Sequence, residues 1–257
     1  MQARIVETAR GARWLAEGWR LFRVAPLGWL AAVFGYWLLM TLVSLVPFIG
    51  VPVAALLMPA FSVGFMALAR AASHHARLEL TLLFDGFRHE PRAQIALGAV
   101  YFGCVVLLLA MSALADNGAL ARLMLLREPL ADEVLESSEF MNACAIAMAL
   151  YLPVTLVFWF APPLASWHGT GVAKALFFSF AAVIMNWRAF LAYGVVMALA
   201  MVIVPMALVW IVALATPDAS SFSPAALAFP LGILLLPTVF ASFYASYRDV
   251  FGYDAAP

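Results

Sequence analysis

Six long apolar runs set the pattern of the chain, at 27–48, 51–72, 93–115, 140–164, 189–214 and 225–247. Each is at least about 20 residues long, enough for a helix to cross a hydrocarbon core of about 30 Å. None carries Asp, Glu, Lys or Arg in its central half. Only PFIGVP (47–52) separates the first two and only TPDASSFSP (216–224) the last two, so short turns join neighbouring spans. A bilayer leaves no water for the backbone, and every polar backbone group must be satisfied inside the segment. The pattern therefore predicts an all-α, polytopic membrane helix bundle of six transmembrane helices in three hairpins, within a single integral membrane domain over 1–257.

Amphipathic runs stand before the hairpins. Residues 11–24 read GARWLAEGWRLFRV, with Trp14, Leu15, Trp19 and Phe22 at helical spacing and Arg13, Glu17, Arg20 and Arg23 opposite them. That predicts an interfacial helix lying on the membrane with its tryptophans at headgroup level. Pro26 then opens the first span, at a helix position where its missing donor is harmless. Residues 73–92 begin as polar SHHARLE and continue with Leu80, Leu82, Leu83, Phe84 and Phe87, a shorter helix that ends before Pro91. A third run covers 172–185, with Asn186, Trp187 and Arg188 at the entry to the fifth span. The longest polar interval, 116–139, holds Leu120, Leu123, Met124 and Leu126, a short amphipathic helix that stops near Pro129. In the fourth run Pro153 and the pair Pro162, Pro163 predict kinks or an end, because proline lacks the donor and clashes with the preceding turn.

Composition agrees with the pattern: 66% of the 257 residues are hydrophobic and 11% charged, against about half and a quarter in soluble domains. Fourteen basic and fourteen acidic residues cancel, so no nucleic-acid partner is expected. Their placement fixes orientation. With the N-terminus in the cytoplasm, twelve of the fourteen basic residues fall inside, and only Arg122 and Arg127 fall outside. The positive-inside rule then predicts both termini cytoplasmic, a periplasmic loop at 116–139, and a multi-pass protein of the bacterial inner membrane. The first 26 residues have five arginines and no continuous apolar core, so a cleavable signal peptide is not expected. Cys104 and Cys144 sit at different depths of their runs and read as two buried thiols rather than a disulfide.

A repeat links the even-numbered spans. Pro59, Phe65, Ala67 and Arg70 recur at the same spacing as Pro237, Phe243, Ala245 and Arg248, and Pro153, Trp159 and Ala161 echo them without the arginine. The chain therefore reads as three parallel units of amphipathic run plus hairpin. Parallel repeats occur in transporters, but they also build simple scaffolds.

Little here points to chemistry. The histidines His74, His75, His89 and His168 lack the ligand spacing of a zinc site, and no metal or cofactor is expected. Ionisable residues at bilayer depth, the usual marks of proton relays and ion pathways, are missing from the span centres. Thr41, Ser44, Ser62, Ser112, Asn142 and Thr155 can bond carbonyls of the preceding turn or a neighbouring helix. The most suggestive set is basic and aromatic and lies toward the expected inner face. Trp19, Arg20, Arg23, Arg88, Trp167, His168, Lys174, Trp187 and Arg188 are the candidate headgroup or interface contacts, with Trp14 and Trp29 alongside them. A basic residue near an anionic surface contributes about 1 kcal/mol of attraction.

The stretch APPLASWHGTGVAKALFFSFAAVIMNWRAF (161–190), with GWRLFRVAPLGWL (18–30), resembles an uncharacterised family of proteobacterial inner-membrane proteins of about this length. That likeness covers nearly the whole chain and implies no activity. Ala175, Leu176 and Ser179 also resemble an Ala-Leu-x-x-Ser run of the membrane domain fused to some glycerophosphodiester phosphodiesterases; Phe178 stands where that group often has a basic residue. No phosphodiesterase catalytic domain is expected. The reading is a non-enzymatic accessory or lipid-contacting scaffold of the inner membrane. Its expected partners are membrane lipids, with a membrane-protein partner or a second copy beside it. A small-molecule or lipid transporter is the alternative, and an intramembrane enzyme the second alternative.

Overall fold

The computed structural model describes residues 3–215 and 224–252, and every regular element among them is helical. Five of its helices are long and apolar enough to cross a membrane: Pro26–Ser44, Gly50–Ser73, Pro91–Asp116, Ser138–His168 and Trp187–Ala207. The first three are α2, α3 and α5, within a residue or a few of the expected runs. The fourth expected run is two helices, α8 (Ser138–Phe158) and α9 (Ala161–His168); the fifth lies in α11 (Trp187–Ala215). The sixth expected span falls in α12 (Pro224–Phe251), but the side chains at 212–234 and the turn at 216–223 lie outside the described residues. Arg248, just past the expected sixth run, belongs to the last turns of this helix.

The chain divides into two compact units. One comprises Met1–Gly35, Gly64–Leu83 and Ala182–Pro257; the other comprises Tyr36–Val63 and Phe84–Ala181.

In the first unit, α1 (Thr8–Val24) packs against both α11 and α12. Its buried residues are Gly11, Trp14, Glu17, Gly18, Leu21 and Phe22. This corrects the interfacial reading of the N-terminal run. Its apolar face is covered by protein, and Trp14 is fully buried rather than at a headgroup. Two glycines seven residues apart allow the approach. A Cβ on Gly11 would stand 1.8 Å from the Ala189 carbonyl oxygen, and one on Gly18 2.3 Å from that of Thr238. Trp29 is likewise buried, its indole N–H donating to the Leu21 carbonyl at 3.2 Å. Phe65 stacks on Phe240 with ring centroids 4.1 Å apart.

In the second unit, α5 packs along α8, around Leu108, Leu109, Leu120, Phe140 and Ala143. The Asp116 carboxylate closes α5 by accepting from the backbone N–H of Gly118 at 2.9 Å and of Leu120 at 2.7 Å. Beyond it the expected amphipathic helix is short: α6 (Ala119–Ala121), then a π-turn over Arg122–Leu126. A single turn, α7 (Asp132–Leu135), precedes α8. The break between α8 and α9 lies just before Pro162 and Pro163. Neither proline can donate to the carbonyl four residues earlier, so the helix ends at Phe158 and restarts at Ala161. The Phe160 N–H freed by the break donates to the Ser179 hydroxyl at 2.9 Å.

The amphipathic runs share one docking rule. The second run forms a 3₁₀ turn, Leu80–Phe84, followed by α4 (Asp85–Arg88). A Cβ on its Gly86 would stand 2.2 Å from the Ala60 carbonyl oxygen. Ala60 directly follows Pro59 of α3, as Thr238, which meets Gly18, directly follows Pro237 of α12. The third run, α10 (Val172–Met185), docks through Ser179 on the α8–α9 break. Each run stands before a hairpin in sequence, yet it packs on the even-numbered span preceding it, and the first run packs on the last. Helices that cross at such small-residue contacts gain close backbone packing where hydrophobic burial gives no net drive.

Candidate functional site

Among the described residues of the first unit, a polar cluster joins α1 to the C-terminal turns of α12. Asp249 accepts from Arg10 twice, Nε to Oδ2 at 2.8 Å and Nη2 to Oδ1 at 2.7 Å. It accepts a third bond from the indole N–H of Trp14 at 2.8 Å. Glu17, one turn on from Trp14, faces Arg10 Nη2 at 3.1 Å and Arg20 Nη2 at 3.7 Å, and takes a hydrogen bond from Arg248. The side chains of Glu17 and Asp249 are each only 10% exposed. Such shielded, forked pairs are the strong class of charge-assisted bonds. The hydrogen bond to Asp249 is the main cause of a raised Arg10 pKa, outweighing the lowering by burial. A pKa raised above the unfolded value contributes stability that is fully present below that value, so the Arg10 contribution holds throughout the ordinary pH range. Around it, Trp14 packs edge-on against Phe190 at 5.2 Å, and Tyr193 shares a hydrogen bond of 2.7 Å with Ser242.

The chain ahead of α1 is held by Asn186. Its Oδ1 accepts from the Val6 N–H at 2.8 Å and its Nδ2 donates to the Arg4 carbonyl at 3.0 Å. Arg4 N–H donates to the Val250 carbonyl at 2.7 Å. The segment is thereby tied to the start of α11 and the end of α12.

In the second unit, the stretch with Pro162, Pro163, Trp167 and His168 gathers residues of α4, α5 and α9. Gln94 Nε2, fully buried, donates to the Pro162 carbonyl at 2.9 Å. Trp167 Nε1 donates to Asp85 Oδ2 at 3.4 Å, and the Ser166 hydroxyl donates to the His89 carbonyl at 3.3 Å. His89 Nδ1 stands 3.6 Å from Asp85 Oδ1. Gly169 ends α9 in the left-handed region at φ 60°. These bonds fasten the end of α9 to the short α4. His74, His75 and His89 are exposed and His168 is half-buried. Among the described residues no group of three His, Cys, Asp or Glu side chains is placed to hold a metal ion.

The candidate contact residues divide between the units. Trp19, Arg20, Arg23, Trp187 and Arg188 belong to the first and are all exposed. Arg188 lies over the Trp187 ring, 5.4 Å from its centroid. Arg88, Trp167, His168 and Lys174 belong to the second; Arg88 and Lys174 are exposed, and Trp167 and His168 half-buried. The clamp residues Arg10, Glu17 and Asp249 were not among the candidates. A carboxylate in line with Trp14 on a glycine-marked face, and an acid beside the repeat arginine Arg248, are the signals that mark them.

The chain is 38% identical over 258 residues to a "probable inner membrane protein" of Burkholderia thailandensis, an alignment covering 98% of this chain and 94% of the relative. No family model matches, so the likeness to the phosphodiesterase-linked membrane domain rests on Ala175, Leu176 and Ser179 alone. No solved structure matches the chain.

Proposed function

The chain belongs to the family of that inner-membrane protein and is a multi-pass protein of the bacterial inner membrane, and from this premise we propose that it is a non-enzymatic scaffold holding anionic phospholipid at the cytoplasmic leaflet. Both termini are cytoplasmic, and 116–139 is periplasmic. The observation that carries the reading is the contrast in how basic residues are used. Arg10 and Arg248 are consumed by the buried carboxylates of the clamp, whereas Arg23, Arg88, Lys174 and Arg188 project outward near helix ends. Exposed cations there, with exposed Trp19 and Trp187, suit phosphate at headgroup level. Three such residues contribute about 3 kcal/mol together.

The test is copurification. Protein extracted from its membrane carries anionic phospholipid enriched over the bulk composition, measured by lipid mass spectrometry. Replacing Arg23, Lys174 and Arg188 together with glutamine removes most of that enrichment. An unchanged lipid profile contradicts the scaffold reading.

Transport is a second reading, favoured by the α8–α9 break, since discontinuous helices line the sites of many transporters. Fully buried Gln94 at the break discriminates the two. In a transporter, Gln94→Cys reacts with a membrane-impermeant maleimide; in a scaffold it stays unreactive.

A further inference from the structure

Two clefts of the first unit meet at Trp187 and Arg188. One, of about 320 Å³, has mixed polar and apolar walls, with Glu7, Thr8 and Asn186 among them. The other, of about 420 Å³, is walled almost wholly by carbon: Ala12 on α1 and Leu191, Ala192, Val195 and Val196 along one face of α11. Thr8, Trp187 and Arg188 line both. A polar cleft opening into an apolar groove has the two-part chemistry of a phospholipid. The groove runs beside a helix that is itself apolar enough to span the bilayer, at residues Trp187–Ala207. Small side chains at Ala12 on α1 and Ala192 on α11 line it, and an acyl chain laid there gains dispersion contacts with its walls.

The charges narrow the occupant. Arg188 and Glu7 are both exposed, and neither makes an ion pair among the described residues. They bring one positive and one negative group to the same cleft. We propose that this site binds one aminophospholipid, with phosphate on Arg188, ammonium on Glu7 and one acyl chain along α11. The site rests on the lipid-contact reading above for the placement of Trp187 and Arg188 at the membrane surface. It adds a fixed position and a headgroup preference.

The test uses the full chain in nanodiscs made from equal amounts of phosphatidylethanolamine and phosphatidylglycerol, followed by native mass spectrometry of the released protein. The wild type retains one phosphatidylethanolamine per chain. Ala192→Phe and Ala12→Phe fill the groove from opposite walls and each lower that retention about tenfold. Glu7→Gln removes a charge-assisted bond worth about 1.5–3 kcal/mol and so lowers the preference for ethanolamine over glycerol headgroups about tenfold or more. Retention at the wild-type level in either groove variant, a preference unchanged in Glu7→Gln, or loss of phosphatidylglycerol rather than phosphatidylethanolamine from the groove variants overturns the site. Both groove variants keep every basic residue. Loss of the single retained lipid there, with bulk anionic enrichment intact, separates this site from the general reading; retention of that lipid with the enrichment likewise intact overturns the site while leaving that reading in place.

Discussion

Replacing Asp249 by alanine removes the acceptor for three bonds at once, two from Arg10 and one from Trp14. The losses are unequal. The Arg10 side chain is 31% exposed, so water takes over part of its hydration and that loss is about 1 kcal/mol. Trp14 is fully buried, and its orphaned indole N–H costs about 1–3 kcal/mol. The sum, about 2–4 kcal/mol, falls on the docking of α1 rather than on the whole chain, because α1 meets α12 through this clamp. Amide hydrogen exchange of α1, followed by mass spectrometry on protein in nanodiscs, therefore accelerates roughly thirtyfold to a thousandfold. Exchange in α5 and α8, in the other unit, stays as in the wild type. Adding Trp14→Phe to Asp249→Ala removes the orphaned donor and recovers about 1 kcal/mol or more, a coupling visible in the double-mutant cycle. Acceleration below about threefold, or a double variant no better than Asp249→Ala, would refute the reasoning.

The span pattern was legible because crossing a bilayer imposes a length and an apolar composition that few residues can violate. Pro26 and Pro91 mark the starts of α2 and α5, and the third amphipathic run coincides with α10 at Val172–Met185. The double proline announced the α8–α9 break but not its partner, Ser179, nineteen residues away. The destination of α1 was not legible. An amphipathic face has the same periodicity whether lipid or protein covers it, so Trp14 read as an interfacial anchor. Glu17 followed its charge onto the outer face, although the helix turns it toward Arg10 and Arg248. What separates the cases is the glycine pair Gly11 and Gly18, which serves a protein neighbour at close range and has no use in lipid. Of the basic and aromatic candidates, Trp19, Arg20, Arg23, Arg88, Lys174, Trp187 and Arg188 are exposed, whereas Trp167 and His168 are half-buried. The clamp was not legible, since its members stand 239 residues apart in the chain.

Further outcomes follow from the same contacts. Gly18→Val and Gly86→Val each force a side chain onto a carbonyl oxygen 2.3 and 2.2 Å from the Cβ position; each loses about 2 kcal/mol or more, read as a lower apparent midpoint in thermal scanning. Gly103→Ala, which meets nothing within 4 Å, is neutral or gains up to about 1 kcal/mol as a mid-helix replacement. Equal tolerance at all three positions contradicts the docking rule. Ser179→Ala strands the Phe160 N–H at the helix break and costs about 1–3 kcal/mol, whereas Ser179→Thr, which keeps the hydroxyl, costs less; a reversed order contradicts the assignment of that bond.

The lipid-contact account depends on the exposed basic residues facing the cytoplasmic leaflet. Single cysteines at Arg188 and at Arg127, in a chain with Cys104 and Cys144 replaced by alanine, test this in intact cells with a membrane-impermeant maleimide. The account predicts labelling at position 127 from outside, and at position 188 only after the inner membrane is opened. Labelling of position 188 in intact cells, with position 127 protected, would contradict it.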